Sequence, residues 1–190
     1  MIMLVLYDTD DLGIFAQTRI EFGFGQPVMK NFNILPLNVR TVPVRKRQQV
    51  IRGCIDKTDF IAFGVGTYTF MRHWAHFAMI YGFTKNRPML AGSSVNIRDG
   101  WSQEITAGPS PFTRPKWEIV GPNIRLYTLD PVFEVVWQFR RSIPQDSVRY
   151  RLEGKTGLFE EIAPMYDCVY DNPNANAFAW VEKSIWLAGL

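Results

Sequence analysis

The sequence has few of the residues that build disulfide frameworks, metal centres or membrane spans. It contains two cysteines, Cys54 and Cys168, and two histidines among its 190 residues. Nothing about the setting of the cysteines indicates a metal site or a redox pair, so we expect a cytoplasmic protein without bound metal. No apolar run reaches the roughly 20 residues of a membrane helix, and no basic region precedes the short apolar N-terminal run. The sequence therefore predicts neither a membrane partner nor a signal peptide.

An excess of charge of one sign is also lacking. The 21 Lys and Arg are nearly matched by 18 Asp and Glu, and the net charge is +3. Such a balance gives no strong overall field, so we expect no nucleic-acid partner. Hydrophobic residues make up 47% of the chain. This content and length predict one domain, residues 1–190, with a full core.

Apolar runs alternate with helical patterns in the first half of the chain. Strands are predicted at Met3–Tyr7, Phe60–Val65 and Met89–Ala91, with weaker signals at Phe32–Leu35 and Val39–Val42; helices are predicted at Leu12–Phe22, Arg45–Lys57 and Met71–Tyr81. This alternation predicts an α/β fold with a doubly wound parallel sheet of four or five strands over residues 1–92.

The second half, residues 93–190, is predicted to be a C-terminal elaboration. Its predicted parts are a long loop at Ser93–Arg114, a strand at Ile124–Tyr127, a helix at Val132–Arg141 and a terminal helix at Ala175–Leu187. Long ordered loops in compact domains are often functional.

Two predicted strand-end loops belong to the same edge of such a sheet. Asp8–Asp11 follows the first strand, and Gly64–Thr69 follows the strand Phe60–Val65. Ligands of open α/β sheets bind at this edge. The carboxylates suit a divalent ion or a ribose, although helix capping explains Asp8 and Thr9 without a ligand. The glycines allow close approach of a ligand, and a plain turn is the alternative.

Several short motifs occur in an order that resembles a known family. Gly66, Thr67, Tyr68, Thr69, Arg72 and Trp74 are followed by NIRDG at 96–100, by Gly108, Pro109, Pro111 and Phe112, and by Val169–Asp171 and Ala179–Val181. This order resembles the TIR-like proteins of bacterial Thoeris antiphage defence. The resemblance spans nearly the whole chain and implies a flavodoxin-like fold with a pocket for NAD or an NAD-derived nucleotide.

The resemblance also implies a chemistry. Active members cleave the nicotinamide–ribose bond of NAD and release a cyclic ADP-ribose signal for a partner effector, with a Glu four residues after the helix Trp. In this chain that position is Ala78. A methyl group cannot stabilise the oxocarbenium-like state, so the resemblance implies a nucleotide-binding module without a catalytic residue and without a tightly bound cofactor. The expected nucleotide-binding residues are Tyr7, Asp8, Asp10, Gly66, Thr67, Tyr68 and Trp74.

Alternatives remain open from the sequence alone. An active NAD glycohydrolase or cyclase would need a displaced carboxylate: Asp8, Asp10, Asp11 or Asp99. His73 and His76, on the predicted Met71–Tyr81 helix, are expected to face solvent. Trp74 is expected to pack inward rather than stack on a base. Self-association or an effector partner would make the chain an assembly subunit, and a nucleoside deoxyribosyltransferase-like enzyme would need a nucleophilic Glu, for which Glu21 and Glu104 are poorly placed.

Overall fold

The computed structural model describes residues 1–9, 33–93, 108–113, 115–120, 123–129, 136–142, 156–167, 171 and 173–188. The strands are β1 (Ile2–Tyr7), β2 (Asn33–Asn38), β3 (Phe60–Val65), β4 (Met89–Ser93), β5 (Pro115–Val120), β6 (Asn123–Leu129), β7 (Val136–Ser142), β8 (Thr156–Leu158) and β9 (Met165–Asp167). The α-helices are α1 (Arg47–Ile55), α2 (His73–Thr84) and α3 (Pro173–Ala188). The predicted helix Leu12–Phe22 lies outside the described residues.

Five parallel strands form the main sheet in the order β2-β1-β3-β4-β9. In the register, Leu6 pairs with Phe63, Val65 with Ser93, and Ser93 with Asp167. Chain order reverses at β1, as in flavodoxin-like folds. The predicted α/β doubly wound parallel sheet is confirmed.

The sheet is buried on both faces because its strands alternate between two apolar clusters. Leu4 and Leu6 lie in the cluster that includes residues of α1 and α2. Met3 and Val5 lie in the opposite cluster, which includes residues of α3. Since successive strand residues point to opposite faces, the near-continuous apolar runs of β1 and β3 satisfy both layers.

The edge strand β2 corrects one sequence prediction. The predicted strand Val39–Val42 is wrong, because Val39–Thr41 forms a 3-10 turn directly after β2. Asn38 Oδ1 accepts a hydrogen bond from the Arg40 N–H at 3.1 Å, which caps that turn. Pro36 is tolerated within β2 because an edge strand does not need every N–H for pairing.

A second, antiparallel sheet follows the main one in the order β7-β6-β5-β8. It contributes Trp117 and Leu126 to the same cluster as Phe63 of β3, so the two sheets share one core. The predicted helix Val132–Arg141 is wrong where it overlaps β7, which pairs with β6 from Leu129–Val136 to Asn123–Ser142. The helical spacing there is outweighed by a seven-residue antiparallel ladder rich in β-forming residues.

The remaining boundaries agree with prediction to within a few residues. The predicted helix Arg45–Lys57 becomes a 3-10 turn at Val44–Lys46 followed by α1, Met71–Tyr81 becomes α2, and Ala175–Leu187 becomes α3. The predicted strand Ile124–Tyr127 lies within β6. No helix in the described ranges has the length and apolar content needed to cross a membrane.

Candidate functional site

The loop after β3 is held by its own side chains. Thr69 is buried, and its hydroxyl oxygen accepts a hydrogen bond from the Gly66 N–H at 2.9 Å. A 3-10 turn at Thr69–Met71 then leads into α2, with the Arg72 N–H donating to the Thr69 carbonyl oxygen at 3.1 Å. The loop therefore turns sharply, and Tyr68 at its outer bend is 55% exposed. Its glycine and its exposed aromatic ring occupy the positions that the sequence predicted for a ligand loop.

The segment Gly108–Thr113 packs against this loop. The Gly108 N–H donates to the Gly66 carbonyl oxygen at 3.2 Å. A Cβ atom on Gly108 would collide with the carbonyl oxygen of Thr67, so no larger side chain fits there without a shift of backbone. Two motifs about 40 residues apart in the sequence thus form one continuous rim.

A buried aromatic anchor fixes that second segment. Phe112 is fully buried, and its ring meets those of Phe63 and Phe159 edge-on at centroid distances of 5.3 and 5.6 Å. The Phe112 N–H also donates to the Ser110 hydroxyl at 3.1 Å. Because Phe112 reaches the core of the main sheet, the segment is held by packing as well as by its bond to Gly66.

The end of β1 supplies the third part of this edge. Tyr7 and Asp8 are 5% and 3% exposed, and Tyr7 belongs to the cluster on the α3 face. Asn38 at the end of β2 donates through Nδ2 to the Thr9 hydroxyl at 3.3 Å. β1 pairs with β3 in parallel up to Leu6 and Phe63, so both strands end at the same edge of the sheet, with Asp8 directly after β1. Asp8 therefore lies next to the β3 loop, whereas Tyr7 supports the edge from within the core.

Two polar residues that sequence reasoning missed lie at the same level of the sheet. Ser93 ends β4, is 2% exposed and pairs in register with Asp167 at the end of β9. Its hydroxyl donates to the Tyr166 carbonyl oxygen at 3.5 Å. The Asp167 N–H donates to a carboxylate oxygen of Asp171 at 2.8 Å, so Asp171 caps the strand end. No local pattern links Ser93 with Asp167, because only the pairing of β4 with β9 brings them together.

Tyr166 lies at the same edge, on the face of the main sheet that packs against α3. Its ring stacks on Trp180 at a centroid distance of 4.5 Å, and its hydroxyl is buried without a hydrogen-bond partner among the described residues. Burial raises the pKa of the Tyr166 hydroxyl above its ordinary value, and the negative charge of Asp171 raises it further. The phenol therefore stays protonated and available as a donor at neutral pH.

The helix after the β3 loop is more deeply buried than predicted. Trp74 is 4% exposed, and its indole N–H has no hydrogen-bond partner in the part of the chain that the structure describes. This burial confirms the expected inward packing and places the side chain behind the rim. Ala78 is fully buried in the apolar cluster between α2 and the sheet. The side chain at position 78 therefore has no access to solvent.

The two histidines of α2 differ in environment. His73 is exposed, as predicted. His76 is only partly exposed, and its Nε2 lies 2.8 Å from the Phe70 carbonyl oxygen. A carbonyl oxygen only accepts, so Nε2 of His76 carries the proton and donates. The prediction that His76 faces solvent is therefore wrong: this ring fastens the start of α2 to the 3-10 turn before it.

Several predicted site residues lie outside the described residues: Asp10, Asp11, Asp99, Glu21 and Glu104. Within the described ranges, no group of three or more His, Cys, Asp or Glu is arranged to hold a metal ion. An open groove between β2 and α1 is lined by Leu35, Lys46, Gln49, Val50, Gly53, Cys54 and Lys57. None of these belongs to the strand-end loops, so the candidate site remains the carboxyl edge of the main sheet.

Comparison with known proteins adds no assignment to this geometry. Neither the family models nor the curated proteins that were searched give a match to the chain.

Proposed function

We propose that the chain is a TIR-like module of antiphage defence or signalling that binds NAD or an NAD-derived nucleotide at the carboxyl edge of the main sheet. The observation that carries this proposal is the joining of the Gly66–Thr69 and Gly108–Thr113 segments into one rim beside Asp8. Flavodoxin-like folds bind nucleotides at this edge, where chain order reverses. The order of motifs along the sequence favours NAD chemistry over other nucleotides.

Each rim residue has a role that its chemistry suits. Tyr68 offers an exposed ring on which adenine or nicotinamide stacks. Gly66 and Thr67 let the backbone approach the ligand closely, and Asp8 accepts hydrogen bonds from ribose hydroxyls. Trp74 and Tyr7 hold the rim from the core side. Binding then activates or recruits a protein partner, such as an effector of the defence system.

A titration with ADP-ribose tests the binding. ADP-ribose lacks the nicotinamide bond, so calorimetry measures affinity without turnover. Stacking on an aromatic ring contributes about 1–3 kcal/mol, and Tyr68→Ala is expected to weaken binding roughly tenfold or more. Tyr68→Phe keeps the ring and should bind nearly as the native chain does. Val44→Ala, which truncates a 76% exposed apolar side chain on the turn before α1, is the matched control.

The results separate clearly. Binding that falls with Tyr68→Ala but not with Tyr68→Phe or Val44→Ala supports the proposal. Absence of heat with ADP-ribose, NAD and cyclic ADP-ribose alike would refute a nucleotide site at this edge.

A second candidate function is an active NAD glycohydrolase or cyclase that uses a displaced carboxylate. The observation favouring it is that Asp8 directly follows β1 and Asp167 ends β9, both at the carboxyl edge of the main sheet. Nicotinamide release from NAD, followed by chromatography, tests this alternative. Release that is lost in Asp8→Asn or Asp167→Asn, with unfolding curves unchanged, would establish catalysis. No release above the rate in buffer supports the binding module.

A further inference from the structure

The groove between β2 and α1 has no part in the proposed nucleotide site. One of its lining residues, Leu35, lies on β2, and the others recur along α1 and its flanking residues at intervals of three and four from Lys46 to Lys57. Such spacing places them in one stripe along the helix. β2 is the last strand at this end of the main sheet, and no further strand within the described ranges closes the groove.

The floor of the groove is apolar surface that the core does not use. Leu35 is 37% exposed, and neither Leu35 nor Val50 belongs to the two apolar clusters of the main sheet. Cys54 packs against one of those clusters, so it forms the bottom of the groove. A Cβ atom on Gly53 would meet no atom within 4 Å. The middle of the groove is therefore open space over an apolar floor.

The two ends of the stripe carry positive charge. Lys46 and Lys57 are separated by about 16 Å along the helix axis, and neither forms an ion pair in the part of the chain that the structure describes. The carboxylate of Asp56 accepts from the Tyr81 hydroxyl at 2.8 Å and pairs with Lys85 at 3.3 Å. Lys46 is the N-cap of α1, whose first turn contains no acidic residue. Because a helix N-terminus favours negative charge and a C-terminus disfavours it, an anion is best placed at the Lys46 end.

The size of the groove distinguishes between two kinds of occupant. Its volume of about 630 Å³ lies within the range of small-molecule sites, about 300–1,000 Å³. Spread over about 16 Å of helix, this volume corresponds to a cross-section of about 40 Å². An α-helix with its side chains is about 10–12 Å across and needs a cross-section of at least about 80 Å². A single alkyl chain therefore fits better than a partner helix.

We propose that the groove binds a free long-chain carboxylate. Its carboxylate pairs with Lys46 at the start of α1, and its alkyl chain lies over Val50 and Gly53, against Leu35. The methylenes of Lys57 cover the end of the chain, while its ammonium group stays in water. The ligand thus meets positive charge at its head and apolar surface along its length, and its site is separate from the strand-end loops.

Calorimetric titration of the full chain with laurate, kept below the concentration at which micelles form, tests the proposal. Binding of one laurate per chain is expected. Acetate has the head without the chain, and dodecyltrimethylammonium has the chain with the opposite charge, so neither should bind at the same concentrations. Bound laurate should also slow alkylation of Cys54 severalfold, measured on the peptide that contains this residue.

Filling the groove gives the sharpest variant. Gly53→Leu should raise the Kd for laurate at least about tenfold, because its side chain takes the space of several ligand methylenes. It should still fold, since Leu is a better helix former than Gly and its Cβ meets no atom; urea unfolding verifies this. Gly53→Ala is the matched control for helix propensity and should bind laurate nearly as the native chain does.

The charged end has its own pair of variants. Lys46→Gln should raise the Kd about two- to fivefold, the effect of an exposed ion pair. Arg45→Gln removes the neighbouring exposed cation, which does not line the groove, and should leave the Kd unchanged. No binding of laurate, a folded Gly53→Leu variant with the native Kd, or equal binding of the alkyl cation would each overturn the proposal. Cosedimentation with phosphatidylglycerol vesicles without binding of monomeric laurate would also overturn it, in favour of a membrane surface.

Discussion

Introducing a carboxylate at position 78 tests whether α2 presents a catalytic position to the site. If the chain follows the TIR-like family that its motifs resemble, a Glu at this position would complete an NAD-cleaving enzyme. In the structure, Ala78 is fully buried between α2 and the main sheet. The substitution Ala78→Glu therefore has two opposite expected outcomes, depending on which account is correct.

The structure predicts a large loss of stability. A buried carboxyl group avoids its charged form, and keeping a Glu protonated at pH 7 costs about 4 kcal/mol. The four heavy atoms that Glu adds to the Ala side chain bring an overpacking cost of about 1–3 kcal/mol. The total of about 5–7 kcal/mol is comparable with the whole stability of a typical domain, about 5–15 kcal/mol. We expect Ala78→Glu to unfold at much lower urea concentration and to gain no activity on NAD.

The pH dependence of the stability loss distinguishes the cost of ionising a buried carboxyl from the cost of overpacking. Because burial raises the pKa of the new carboxyl in the folded state, its ionisation cost appears above the unfolded pKa of about 4.3 and grows as pH rises. The stability deficit should therefore shrink toward the overpacking part near pH 4. His73→Glu is the matched control, since residue 73 is exposed in the first turn of α2, where a negative charge stabilises by about 0.3–1 kcal/mol. A folded Ala78→Glu variant that releases nicotinamide would refute the placement of position 78 in the core.

Three further predictions concern the rim, one surface cluster and the thiol. Gly108→Ala forces its Cβ against the Thr67 carbonyl oxygen and should lower the free energy of unfolding in urea by about 1–3 kcal/mol. The control Gly53→Ala, whose Cβ would meet no atom within 4 Å, should raise the free energy of unfolding by about 0.5–1 kcal/mol. A stabilising effect of Gly108→Ala would disprove the close approach of the two segments. The hydrogen bond from the Tyr81 hydroxyl, followed by the bond from Lys85, lowers the pKa of Asp56 below 3.8, so its contribution is present above pH 3.8 and lost as pH falls further. Native and Asp56→Asn chains should then differ in denaturant midpoint at pH 7 and converge near pH 2. Burial raises the pKa of the Cys54 thiol above 9.0, and the charge of Lys57 opposes this with a smaller effect. Alkylation of Cys54 should therefore be slower than that of a model thiol at pH 8, because less of it is thiolate. Equal alkylation rates would contradict this prediction.

The main sheet was predictable because its evidence is local. The run Phe60–Val65 has the apolar density of a strand covered on both faces, and it coincides with β3. The stripe of α1, with Ile51 and Ile55 buried, also follows from periodicity alone. Both elements sit in short βα units whose connections are constrained in hand and length.

The antiparallel sheet was not predictable in the same way. Its strands are stabilised by pairing with distant segments, so local spacing carries little of the information. Around β7, apolar residues recur at intervals that also suit a helix, and only the ladder with β6 decides in favour of a strand. The pairing of β5 with β8 joins segments about 40 residues apart. Such contacts leave no periodic signature in a single sequence.

The residues of the candidate site also differ in how far local sequence patterns predict them. The residues of the β3 loop were found from their glycines and their position after a strand. Asp167 and Ser93 were missed because their proximity depends on β9 pairing with β4 across the whole inserted sheet. The hydrogen bond between Gly108 and Gly66 likewise joins segments that no local pattern connects.

The inserted sheet also explains why position 78 of α2 is buried. A helix with one sheet beneath it keeps a solvent-facing side, but α2 contacts β7 as well as the main sheet. Its sequence is accordingly apolar around most of its circumference, and its buried residues occupy several sides: Trp74, Ala75, Ala78, Met79, Gly82 and Phe83. A charged group at position 78 of this helix would enter a core and not a pocket. Asp8 and Asp167, by contrast, lie at the carboxyl ends of strands of the main sheet.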